Sequence, residues 1–380
     1  MNEDQPLGTS FGRTPLNRLT DNSTKFLALL FILSVIVSGC SGSPASTPPP
    51  STSALPPKNS TYWPTDGWRT STPEEQGMDP QKLEAMLAEI KDREINLHGF
   101  LIIRNGYLVS ETYFDPYDQD TKHEMQSAGR SWASALIGIA IDNGYIDTVD
   151  QRIVDFFPER TFSNMDQRKE AMTLEDVLTM RTGLEWQELP GAFEQMQKSP
   201  DWVQYILDRP MTEQPGTRWN YCSICSHVLT AIINETTGIN PRDFAEENLF
   251  KPLGILGVSW IADPDGIPLG AGGFKLTPRD MAKLGYLYLR NGQWDGQQII
   301  SSDWIEKSTQ TYSVVNEHLG YAYHWVTVPE MKGYAASGGG GQIILVLPEY
   351  DLVVVTTADT EESIFELIDK YVLPAAQGSE

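Results

Sequence analysis

Two β-rich segments near opposite ends of the chain constrain its fold more than any other feature of the sequence. "HGFLIIRNGYLVSETYF", starting at His98, has two strand-like runs around Asn105-Gly106, a dipeptide that favours the type I′ turn of a tight hairpin. "QIILVLPEYDLVVVTTAD", starting at Gln342, repeats the style around Pro348–Asp351, and Val353 to Val355 read as buried on both faces. An amphipathic helix lies outside each hairpin. One opens at Asp79-Pro80 with Leu83, Met86, Leu87 and Ile90 as its stripe; the other carries Ile364, Phe365, Ile368 and Val372. The middle is mostly helical: "SWASALIGIAIDNG", "TLEDVLTMRTG", "SHVLTAIINETTG" and "PRDMAKLGYLYLRNG" each run to a glycine stop. Strand pairs joined by short turns predict an antiparallel sheet flanked by the terminal helices, with a helical lobe inserted into it. The expected class is α/β of the α+β type, with an α/β lobe over about 62–122 and 266–375 and a helical lobe over about 123–265.

Ahead of that body the sequence changes character. Lys25 precedes twelve apolar-dominated residues, Phe26 to Val37, and then Ser38-Gly39-Cys40. Twelve is too few to span a bilayer, which takes ~20, but it suits a signal-peptide core. Small residues before a cysteine resemble the bacterial lipoprotein signal, so residues 1–39 are expected to be removed and Cys40 lipidated; ordinary secretion with an incidental cysteine is the alternative. Residues 40–61 are rich in Ser and Pro and cannot bury a core, which predicts an extended tether. The chain is thus expected to be exported and lipid-anchored to the cell envelope, with the folded body over 62–375. A net charge of −23 on 380 residues, with no basic stripe, excludes nucleic acid as a partner.

Several familiar signals carry no weight. "GTSFG" at residues 8–12 matches G-x-S-x-G but lies ahead of the signal segment, with no strand before it. The five histidines have no metal-ligand spacing, and no phosphate-binding loop is present. Cys222 and Cys225 in "NYCSICSH" lack a second pair to complete a zinc site. They read as two small semi-buried thiols, a disulfide in an exported protein being the alternative. No metal or organic cofactor is implied.

"MQSAGRSWASALIGIA" places Ser127 at the head of an apolar helix, with Arg130 three residues on. Unpaired N–H groups and the positive end of the helix dipole favour a developing alkoxide there, and residue i+3 shares the serine's face. An N-cap serine beside a solvated arginine would give the same pattern. Two further segments decide between them, "PGTRWNYCS" and "GYAASGGGGQIILVLP". With "SAGRSWASALIGIAIDNGYI" and "TLEDVLTMRTGLEW", they resemble the serine β-lactamase-like family of class C β-lactamases, penicillin-binding DD-peptidases, esterases and 6-aminohexanoate-dimer hydrolases. The resemblance covers roughly residues 65–375. It implies a nucleophile at Ser127, a tyrosine partner at Tyr221, and Arg130 where the family has lysine. It also implies that a third motif, usually Lys or His, then Thr or Ser, then Gly, falls on Gly339, Gly340 and Gly341 as the substrate-binding strand edge. Oxyanion donors would be the backbone N–H groups of Ser127 and Gln342, the register within the glycine run being open by one residue.

Lysine serves this chemistry because burial can make it neutral; arginine stays protonated in any site and cannot be the general base. Arg130 is left to anchor Ser127 and Tyr221, to stabilise a phenolate on Tyr221, or to bind an anion. The sequence therefore predicts either a slow serine hydrolase of esters or small amides, with Tyr221 as base, or a binding module on the same scaffold. Trp186, Trp202, Trp219, Tyr221, Tyr321, Tyr323, Trp325 and Tyr334 provide an aromatic stock near the cleft, most of it expected to be packing.

Overall fold

The computed structural model describes residues 62–378, so the expected signal segment, tether and Cys40 lie outside the described residues. Twelve strands occur in chain order: β1 Leu97–Arg104, β2 Tyr107–Tyr113, β3 His123–Glu124, β4 Lys275–Leu276, β5 Gln293–Trp294, β6 Gln297–Gln298, β7 Ser313–Val314, β8 Gly320–Tyr321, β9 Val326–Val328, β10 Gly333–Gly338, β11 Gln342–Leu347 and β12 Leu352–Ala358. Eight of them form one antiparallel sheet in the order β2-β1-β12-β11-β10-β9-β8-β7. The two hairpins read from the sequence thus lie side by side, β1 against β12, with Leu101 opposite Val355 and Ile103 opposite Val353. Asn105 and Gly106 both have positive φ, 53° and 79°, as a type I′ turn requires.

Alternation along β1 assigns each residue to a face. Phe100 and Ile102 join Leu83, Met86, Ile90, Ile368 and Val372 in one apolar cluster; Leu101 and Ile103 join Leu284, Leu287, Ile344 and Val353 in the other. Both faces are therefore covered, which explains why β1 and β12 are buried at every residue rather than alternately. Each fully buried Leu, Ile or Val contributes about 1.5–3 kcal/mol. Helix α1, Pro80–Asp92, starts where its cap dictates: the Asp79 side chain accepts from Gln81 N at 2.9 Å, and Pro80 occupies a position that has no helical N–H to lose.

On the other side of the sheet lies α2, Gly129–Asp142, buried from Gly129 to Ala140. The helix His227–Thr237 packs beside it and ends at Gly238 with φ 67°. One predicted helix is shorter than its pattern. Thr173 and Asp176 form a capping box, but the helix covers only Leu174–Leu178 and stops well before Gly183. Met180 adopts φ 57°; its carbonyl accepts from Asn220 N at 2.8 Å and its sulfur from Cys222 N at 3.3 Å. The chain leaves the helix in order to hold the segment that carries Tyr221.

Candidate active site

Ser127 is the middle residue of a single 3-10 turn, Gln126–Ala128, that leads into α2. Its N–H therefore precedes the helical ladder and is free to face a ligand. Gln126, just before it, has φ 48°, a conformation unusual for a residue with a side chain. Two contacts hold the turn. Glu124 accepts from Gly273 N at 3.1 Å, and burial pushes its carboxyl above the usual carboxylate range. Gly129 packs on Gly272 so closely that a Cβ at 129 would lie 2.6 Å from the Gly272 Cα.

Tyr221 reaches the serine from the segment that leads into the helix His227–Thr237. Its Oη lies 2.9 Å from Ser127 Oγ and 2.5 Å from Arg130 Nη1. With a protonated phenol, Tyr221 donates to Ser127 and accepts from Arg130; with a phenolate, the serine hydroxyl donates across the same 2.9 Å. Arg130 is 3% exposed. Its Nε donates to Ser226 Oγ at 3.1 Å and its Nη2 to the Ser223 carbonyl at 3.4 Å, while its guanidinium carbon lies 4.9 Å from the Tyr221 ring centre. A phenol, a hydroxyl and a carbonyl are its partners; none among the described residues is a carboxylate. The site consequently holds a buried positive charge with no fixed counter-charge, an expensive arrangement that favours negative charge developing nearby. Its effect is visible on its neighbours. Burial, reinforced by Arg130, holds His324 well below the usual histidine range, so this side chain stays neutral. Burial also pushes the Tyr321 phenol up, with Arg130 acting in the opposite sense.

The glycine-rich edge is shifted from its expected register. Gly338, the last residue of β10, lies against the serine turn: a Cβ there would sit 2.6 Å from Met125 O and 3.0 Å from Ala128 N. Gly339, Gly340 and Gly341 instead form the turn into β11, with Gly340 and Gly341 at φ 77° and 91°. Gln342 stands across the ladder from Gly338, and its side chain donates to Ala358 O at 2.5 Å. Gly338, one residue ahead of the expected Gly339–Gly341, is thus the glycine that lies beside the serine turn, while Gln342 begins the next strand. Ser337, on β10 beside Gly338, is half-buried and brings a hydroxyl to this edge.

Cys222 and Cys225 are also not the thiols expected; they form a disulfide, because the turn between Tyr221 and His227 brings two buried sulfurs together. Glu188, not singled out from the sequence, accepts from Trp186 Nε1 at 2.6 Å and from Ser223 N at 3.1 Å beside the same segment. Of the aromatic stock, Trp202, Tyr323, Trp325 and Tyr334 are core; Trp219 and Tyr221 are the two partly exposed members. Among the described residues no group of three His, Cys, Asp or Glu is arranged to hold a metal.

Comparison with known proteins identifies the family and the fold. The family model described as Beta-lactamase matches residues 83–377. A 6-aminohexanoate-dimer hydrolase from Paenarthrobacter ureafaciens is 23% identical over 301 residues, covering 72% of this chain and 76% of the relative. The octameric penicillin-binding protein homologue from Pyrococcus abyssi has the same fold at a TM-score of 0.61, with 21% identity and coverage of 78% and 77% of the two chains. A family VIII carboxylesterase gives 0.62 at 15% identity, covering 80% of this chain and 98% of its own. The serine, the phenol and the strand edge thus stand on a serine-hydrolase scaffold, and the chain belongs to the beta-lactamase family.

Proposed function

We propose that the protein is a slow serine hydrolase of carboxylic esters or small linear amides, in which Tyr221 rather than a lysine handles the proton. One observation carries this reading: a phenol lies between the serine hydroxyl and a buried guanidinium that has no carboxylate partner. Arg130 stabilises the phenolate form of Tyr221. That phenolate takes the Ser127 proton as Oγ attacks the substrate carbonyl. The tetrahedral oxyanion is met by the N–H of Ser127 and by the N–H of Gly339, in the turn that follows β10. Tyr221 then returns the proton to the leaving alkoxide or amine, leaving an acyl group on Ser127. Water attacks this ester, gives its proton to Tyr221, and the serine leaves with that proton restored.

Esters are favoured over stable amides because Arg130 cannot itself accept a proton and the phenol must do both transfers. β10 carries neither the lysine nor the histidine usual in the family's third motif, which argues against substrates whose carboxylate that residue helps bind. The rival reading, a binding module in which Arg130 grips a ligand carboxylate, fares worse: all three guanidinium nitrogens already have acceptors, and the group is buried. Anchoring to the envelope through a lipid on Cys40 completes the proposal and is independent of the site chemistry.

The test is covalent labelling of the folded chain with a fluorophosphonate, followed by peptide mapping. The expected adduct is on Ser127, formed more slowly in Tyr221→Phe. Folded protein that gives no adduct on Ser127 is a binding module.

A further inference from the structure

All three acceptors of the Arg130 guanidinium, the Tyr221 hydroxyl, the Ser223 carbonyl and the Ser226 hydroxyl, come from one six-residue segment. The Cys222–Cys225 disulfide closes that segment on itself, between Tyr221 and Ser226 and around Ser223. Both cysteines are buried, at 1% and 2% exposure. We infer that this crosslink is a positioning device for the Arg130–Tyr221 pair, and that the site works only while the disulfide is formed. This inference rests on the proposed hydrolase reading.

The reason lies in the shape of arginine. A lysine ammonium is a compact charge whose three donors rotate to find acceptors, whereas a guanidinium is a rigid planar fork that must meet several acceptors at fixed angles. Replacing the family's lysine by Arg130 therefore demands a stiffer partner segment. The backbone bonds Cys225 N to Cys222 O and His227 N to Ile224 O are those of loose turns, and Ser223 Oγ, though buried, has no partner. Met180 and Glu188 tether the near end of the segment and the helix His227–Thr237 its far end, and the crosslink is what ties these two ends to each other around Ser223. A disulfide between residues so close in sequence constrains the unfolded chain only weakly, so its stabilising effect is small. Its local effect on geometry is not. Reduction by a dithiol breaks the S–S bond, gives each sulfur one electron and one proton, and closes the reductant to its cyclic disulfide. Such a crosslink persists only in an oxidising compartment.

The experiment uses the full chain, the Cys222→Ser/Cys225→Ser double variant, and parent protein reduced with dithiothreitol. p-Nitrophenyl acetate turnover, the rate of fluorophosphonate labelling, thermal melting and hydrogen exchange over residues 220–227 are measured. Loss of the crosslink is expected to lower kcat about tenfold or more with little change in KM, to leave the melting temperature near that of the parent, and to speed exchange in the segment. Reoxidation restores the reduced parent. In an Arg130→Lys background the loss of the crosslink should cost much less, because lysine needs no fixed fork of acceptors. An equal loss in both backgrounds would mean a merely structural disulfide, and unchanged kcat and exchange would overturn the inference outright. If the parent neither turns over nor labels at Ser127, the hydrolase reading fails on its own, and exchange over 220–227 alone then decides whether the crosslink orders the segment.

Discussion

The two walls of the cleft are positioned by opposite means. On the Ser127 wall, backbone fits against backbone: Gly129 on Gly272, and Gly338 on Met125 and Ala128, with no room for a side-chain carbon at either contact. On the Tyr221 wall, polar side chains and a crosslink set the geometry, through Arg130, Ser226 and the Cys222–Cys225 bond. The contrast teaches that the walls should fail to opposite changes. Added atoms ruin the first, and removed atoms ruin the second.

Ser127→Ala removes the group that both walls serve. Ester turnover is expected to fall at least about a thousandfold, with the melting curve preserved. On the Tyr221 wall, deleting one oxygen in Tyr221→Phe should lower kcat about a hundredfold without unfolding the protein; unchanged turnover would remove this wall from the chemistry. On the Ser127 wall, Gly338→Val adds atoms where Met125 O and Ala128 N already press. It should cost about 1–3 kcal/mol of unfolding free energy in denaturant titrations, and kcat should fall with it. If Gly338→Val proves harmless, the backbone-only account of that wall is wrong.

Arg130→Lys is the reverse case, a change that restores a titratable amine. Turnover of p-nitrophenyl esters should rise severalfold on the alkaline side of neutrality. Failure to rise, combined with a silent Tyr221→Phe, would refute the division of roles between these residues.

The smallest expected effect is on stability in acid, and it belongs to the Ser127 wall. His123 sits on β3, four residues before the serine; burial, aided by His98 and Lys275, holds it down to about 4, and burial lowers His98 as well. Below an ordinary histidine pKa of about 6.5 the unfolded chain binds protons that the folded chain refuses until about pH 4. Stability contributed by these groups is thus present above pH 6.5 or so and is lost as pH falls towards 4. Urea midpoints measured across that window should decline less steeply in a His98→Asn/His123→Gln variant than in the parent.

Legibility in the sequence followed the same division. The hairpins, the helix start at Asp79-Pro80, and the apolar helix behind Ser127 could be read because each is governed by local pattern. What could not be read were choices made by distant contacts. Whether Cys222 and Cys225 bond depends on how the Tyr221 turn folds against Met180. Which glycine meets the serine depends on where β10 ends, and four identical residues in a row leave the sequence no mark to count from. Glu124 and Glu188 were missed because a single carboxylate gains meaning only from the N–H groups that face it.

The pairing of β1 with β12 has a consequence in time. Gly338 is held at the serine by a sheet whose central strands come from near the two ends of the described body, so the sheet closes only after the last strand has been made. A nascent chain holds Ser127 before it holds the strand edge at Gly338. The serine and its strand edge therefore meet only once the whole described body has been made.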